Sequence, residues 1–126
     1  MADHQVTIDL ITEMPDGSWV LVLIEQGPWA EVELHANLQR VQERLYNCVD
    51  VAIDGHLAKL YPESKGKAAV VRLDAYDTPD TPVRDFVGQF ANHVRNTAQI
   101  QWDLNANGFV TSLHFEYRWC TLQKAG

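Results

Sequence analysis

Two short stretches concentrate residue types that do chemistry. The first, CVDVAIDGH (Cys48 to His56), holds a thiol, two carboxylates and an imidazole within nine positions. Those groups are the ligands of zinc and the usual partners in acid–base and nucleophilic catalysis. The second, SLHFEYR (Ser112 to Arg118), sets Ser112, His114, Glu116 and Arg118 at every other position. On a strand, all four would share one face. With Asp103 nearby, Ser, His and Asp supply the inventory of a hydrolytic triad.

Whether either set converges depends on the elements that carry it. From about Val32 to Leu60 the apolar residues recur at helical spacing: Leu34, Leu38, Val41, Leu45, Cys48, Ala52, His56 and Leu60. Tyr61-Pro62 and Gly66 end the run. On a continuous helix with Leu45 at zero, His56 falls at about 20°, on the apolar side. Asp50 and Asp54 fall at about 140° and 180°, on the opposite side. Cys48 and His56 lie about 12 Å apart along the axis, too far to share a metal ion. The expectation is a core helix with His56 half-buried and no metal site; a break at Gly55 would undo that geometry.

The rest of the chain reads as strands around two helices. VTIDLIT (Val6 to Thr12) alternates, PDGS is a turn and WVLVLIE is a second strand, which together make a hairpin. KAAVVRLDAYD reads as a third strand. After the loop TPDTP, Thr81 suits an N-cap with Pro82 at the first helical position. A second helix then carries Val83, Phe86, Val87, Phe90 and Val94. The closing IQWDLNANGFVTSLHFEYRW has alternating runs around Asn107-Gly108, the strongest short hairpin signal. That register sets Trp102 opposite Leu113 and Asp103 opposite Ser112. The predicted fold is α+β in a single domain, residues 1–126. Its order is ββαβαββ, in two layers, with a five-stranded mixed sheet and two helices packed on one face.

Composition narrows the function classes. A formal net charge of −7 without a basic stripe excludes a nucleic-acid footprint, which needs clustered Lys and Arg. The longest apolar run, WVLVLI, is strand-sized, so no membrane span is expected. The opening MADHQVTIDL lacks the basic and apolar regions of a signal peptide. Cys48 and Cys120 form no C-x-x-C pair, so the expectation is two buried, reduced thiols in a cytoplasmic protein. Walker, dinucleotide-binding, H-E-x-x-H and EF-hand patterns are absent, and no cofactor or metal is expected.

The chemistry at Ser112, His114 and Asp103 faces a difficulty. A nucleophile usually stands on a strained turn beside an oxyanion hole, whereas Ser112 would lie mid-strand. The wider set of Arg72, Asp74, His114, Glu116 and Arg118 would suit a small-ligand or acid–base site only if the sheet were concave there. In the first hairpin, Val6, Ile8 and Leu10 are expected to face the helices. Ile11, Val20, Val22 and Ile24 would then form an outward apolar stripe, which marks either an interface or a surface covered within the chain by the N-terminus, the C-terminal tail or the GPW loop. Trp29, in the loop GPW, is either a partner anchor or a plug for the end of the core.

Several stretches carry a resemblance: IDLITEMPDGSWVLVLIE, PWAE, LQRVQERLYNCV, DGHLAKLYPESKGK and VVRLDAYDTPD. Over residues 8 to about 95 the chain resembles a bacterial family of small proteins classed as a domain of unknown function. The shared pattern is strand–turn–strand, a loop Trp, a long helix, then Tyr-Pro and a nearby Gly. Trp29, Tyr61, Pro62 and Gly66 match it, while HFEYRWCTLQKAG departs from it. The resemblance implies an architecture and carries no activity.

The leading expectation is a non-enzymatic interaction module that self-associates as a homodimer or binds a protein partner through the first hairpin. The alternative is a small-ligand-binding protein or enzyme using the polar sheet face around His114.

Overall fold

The computed structural model describes residues 8–120. Val6 and Thr7, read above as the start of the first strand, lie outside the described residues. A short strand β1 (Leu10–Glu13) turns antiparallel into β2 (Trp19–Gln26). The chain then forms α1 (Leu34–Ile53), the one-turn α2 (His56–Leu60) and β3 (Lys67–Tyr76). Helices α3 (Asp80–Asn96) and α4 (Ala98–Asn107) lead into β4 (Val110–Cys120). The sheet order is β1-β2-β3-β4, with β2, β3 and β4 parallel. The architecture is α+β: a four-stranded mixed sheet with helices packed against it.

The helices share a face for a topological reason. Parallel neighbours need crossovers, and crossovers are right-handed. Both crossovers step the same way across the sheet, so both deliver their helices to the same side. Helix α1 buries Val41, Leu45, Cys48, Val49 and Ala52, and α3 buries Val83, Val87, Phe90 and Val94. Both sets follow the i, i+4, i+7 spacing of one helix face. They meet sheet rows in register: Leu21, Val71 and Phe115, then Leu23, Leu73 and Tyr117. Among the described residues, no helix is long and apolar enough to cross a membrane.

Three expectations are corrected. The segment 100–104, expected to be the fourth of five strands, lies within α4. Ile100 and Leu104 sit one helical turn apart and turn inward, while Trp102 stands out, 66% exposed. Gly108, at φ 65°, caps α4, with its N–H donating to the Leu104 carbonyl at 3.1 Å. A left-handed glycine thus ends a helix here, where the hairpin reading had used it in a turn. Secondly, α1 does break at Gly55, which adopts φ 96°. The break re-aims the following turn, so His56 is exposed and Leu57 takes the buried place. Thirdly, Ile11 pairs with Leu21 and packs against the core, so it faces the helices and Leu10 faces away. A smaller shift puts the start of α3 at Asp80, ahead of Thr81 and Pro82.

Candidate functional site

The Cys48–His56 cluster comes apart in three dimensions. Cys48 is fully buried in α1, and burial pushes its thiol up to about 12. Asp50 is exposed; partial desolvation and the neighbouring Asp54 raise its carboxyl. The Asp54 side chain accepts a hydrogen bond from the His56 backbone N–H at 2.9 Å, bracing the break at Gly55. Among the described residues, no group of three or more His, Cys, Asp or Glu side chains could hold a metal ion.

The second set divides between two elements. Ser112, His114, Glu116 and Arg118 line the helix-free face of β4, opposite Ala68, Val70, Arg72 and Asp74 of β3. Ser112 Oγ lies 3.0 Å from His114 Nε2. Asp103, expected opposite Ser112, is on α4 and accepts a hydrogen bond from Gln99 Nε2 at 3.0 Å. The serine–histidine contact is therefore real, but the aspartate that would orient the imidazole belongs to another element. Arg72 donates to both carboxylate oxygens of Asp74, at 2.9 and 3.3 Å. That pair is largely buried and occupies the guanidinium the ligand reading needed. A hollow of about 310 Å³ does lie between the first turn and the sheet, bordered by Met14, Asp16, Arg72 and Glu116.

The apolar stripe is smaller than expected. Val20 and Val22 do point to the helix-free face, but they are 3% and 2% exposed. Each sits between two cross-strand neighbours, Thr12 and Val70 or Leu10 and Arg72. Ile24, at 42%, and Leu10, at 53%, are the accessible apolar groups of that face. Trp29 packs against the core and carries the Arg40 guanidinium over its ring at 5.8 Å.

A buried ionic network beneath β2 escaped the sequence reading. Glu25 is 4% exposed and accepts from Arg40 and from Arg44, the latter at 2.7 Å. Arg44 also reaches Asp9 at 2.6 Å, and Asp9 accepts the Ile24 backbone N–H at 2.7 Å. Arg40 and Arg44, one helical turn apart, were the available signal, together with a lone carboxylate ending an apolar strand. The network ties α1 to β2 and to the residue preceding β1.

The feature with the most binding potential is the far edge of the sheet. β1 is only four residues long, so it offers little edge. β4 runs for eleven residues with β3 on one side, and among the described residues no strand flanks its other side. Backbone groups alternate direction along a strand, so every second residue of β4 presents its N–H and C=O outward. Beside this edge lies a groove of about 300 Å³. Residues Thr111 to Phe115 form its floor, and Arg95 of α3 with Gln101, Leu104 and Asn105 of α4 form its wall. The wall exists because 98–107 is a helix; read as a strand, that segment would have covered this very edge.

The sheet's connectivity also says where a ligand cleft is missing. Open parallel sheets bind ligands where the strand order reverses, between crossovers on opposite faces. Here the order never reverses. Comparison of the chain with protein-family models finds no match, and comparisons with curated proteins and with solved structures find none either.

Proposed function

We propose that this protein is a non-enzymatic interaction module that engages an extended protein segment by strand addition along β4. The observation that carries the reading is the open eleven-residue edge beside a groove walled by α3 and α4. Strand addition takes its affinity from main-chain hydrogen bonds and its specificity from pockets that receive alternate side chains. The edge supplies the first and the groove the second. The side chains of β4 on the helix side, Leu113, Phe115 and Tyr117, are half-buried and Trp119 is 45% exposed, so apolar surface remains to be covered there. Compared with the expectation from the sequence, the contact moves from the first hairpin to the opposite edge.

The test uses the alternation of the backbone. Phe115→Pro and Glu116→Pro are made separately. One removes an N–H bonded to β3 and damages the fold; the other removes an outward N–H and blocks the edge alone. Displayed libraries of extended peptides are then panned against dilute wild-type protein. Binders with alternating apolar residues, lost on the well-folded proline variant, are expected. Binders indifferent to that variant, or no binders, would overturn the reading.

A further inference from the structure

We infer that the segment added to β4 is β4 of a second copy, antiparallel about a two-fold axis through Phe115. The inference rests on the strand-addition reading above and supplies its occupant and register. Residues directly opposite in an antiparallel pair point to the same side of the sheet. Keeping both helical layers on one side therefore requires odd residues of β4 to face odd ones and even to face even. That leaves only a few registers, each named by the residue on the axis.

Charge selects among them. With Glu116 on the axis, Glu116 meets its own copy and His114 meets Arg118. With Arg118 on the axis, Arg118 meets Arg118. With His114 on the axis, the imidazoles meet each other and Glu116 meets Ser112. Complementary partners, by charge or by a hydrogen bond between imidazole and carboxylate, arise at two registers only. Centring on Phe115 sets His114 against Glu116 of the second copy, twice over by symmetry, and Ser112 against Arg118. Centring on Tyr117 sets Glu116 against Arg118, twice over. The first pairs Ser112–Arg118 with its counterpart in unbroken alternation, beyond the bulge at Thr111, whereas the second leaves Ser112 and Leu113 without a partner from the described strand.

Packing favours the same register. On the helix side it brings Phe115 against Phe115 and Leu113 against Tyr117, with Trp119 falling beside the bulge at Thr111. The floor of the groove, Thr111 to Phe115, then receives the aromatic residues Phe115, Tyr117 and Trp119 of the second copy. The groove and the aromatic half of β4 occupy different halves of one strand, so a two-fold axis at its middle joins each to the other. The product is one continuous eight-stranded sheet with its helices on one side.

The full chain and three variants are examined by sedimentation equilibrium from 1 µM to about 1 mM, with circular dichroism as the check on folding. That range brackets dissociation constants on the order of 10⁻⁶–10⁻³ M. The wild type is expected at twice the chain mass at the upper end. His114→Glu places carboxylates opposite each other twice and should weaken association at least tenfold. Adding Glu116→Lys to it restores opposite charges at the Phe115 register and should recover the dimer. At the Tyr117 register the same double variant sets Lys against Arg118 and stays monomeric, which would overturn the register. Glu116→Lys alone serves as the further control, since it disrupts the Tyr117 register outright and the Phe115 register only partly. A wild type that remains monomeric at every concentration would overturn the second-copy inference. Displayed peptides that still bind the edge of that monomer would leave strand addition standing, so the two failures are distinguishable.

Discussion

Removing Arg44 tests the ionic network under β2. Its guanidinium bonds Glu25 at 2.7 Å, Asp9 at 2.6 Å and the Ile24 carbonyl at 2.9 Å, and its side chain is 14% exposed. Glu25 is 4% exposed, so Arg44→Met would leave a buried carboxylate with Arg40 as its remaining cationic partner. Breaking a buried pair from one side costs about 3–5 kcal/mol, because the surviving charge is desolvated and uncompensated. Arg40, at 47% exposed, still reaches Glu25 and lowers that cost. The expected loss is about 3 kcal/mol, near the bottom of the range. For a chain of this size that corresponds to a fall in Tm of about 10 °C. Glu25→Gln keeps the shape and an acceptor and should cost about 2 kcal/mol. The double variant should lose about 3 kcal/mol, well short of the sum, because the second change removes a charge the first had stranded. Urea unfolding followed by tryptophan fluorescence measures all three. A loss below about 1 kcal/mol for Arg44→Met, or additivity within about 0.5 kcal/mol, would refute the reasoning.

Thiol reactivity should separate the two cysteines. At pH 8 an ordinary thiol at 9.0 is about one-tenth thiolate, whereas Cys48, pushed up to about 12, is about one ten-thousandth. Native labelling should therefore modify the partly exposed Cys120 well before the buried Cys48; two thiols reacting in one fast phase would contradict this. Gly55→Ala should lose about 2–3 kcal/mol, from the left-handed conformation and from a Cβ placed 2.8 Å from the Phe109 ring. In a Phe109→Ala background only the conformational part, about 1–2 kcal/mol, should remain, as denaturant titration of the four proteins would show.

The elements that depend on burial were legible in the sequence; those that depend on local competition were not. The apolar spacing from Leu34 to Ala52 carried α1, and WVLVL announced β2 as a strand apolar on both faces, though not that Val20 and Val22 would be buried. Residues 98–107 misled because Ile100, Trp102 and Leu104 fit a period of two as readily as a helix turn. Ala, Gln and Leu are good helix formers, and burial of Ile100 with Leu104 decided for the helix. His56 was misplaced because a single left-handed glycine rotates everything after it. Among the candidate site residues, alternation correctly put His114, Glu116, Arg118 and Arg72 on one face. It could not show that Asp74 holds Arg72, nor that α4 would withdraw Asp103 from Ser112. The groove beside β4 was invisible for the same reason as α4. Trp29, Tyr61 and Gly66 have packing and backbone roles here. Tyr61 lies against Trp19 at 5.1 Å, and the N–H of Gly66 donates to the Phe109 carbonyl.

A sheet whose spatial order repeats its order in the chain can be built in the direction of synthesis. Each strand of this protein docks on the one made just before it, so no strand must be held apart to admit a later one. In the order of synthesis β1 and β2 could pair first, α1 and β3 would extend the layer, and β4 would follow with a further row of core residues. The growing front is at every stage the edge most recently added. Among the described residues that front is β4, so a strand from another molecule would be the next step of the same growth process, continued between chains.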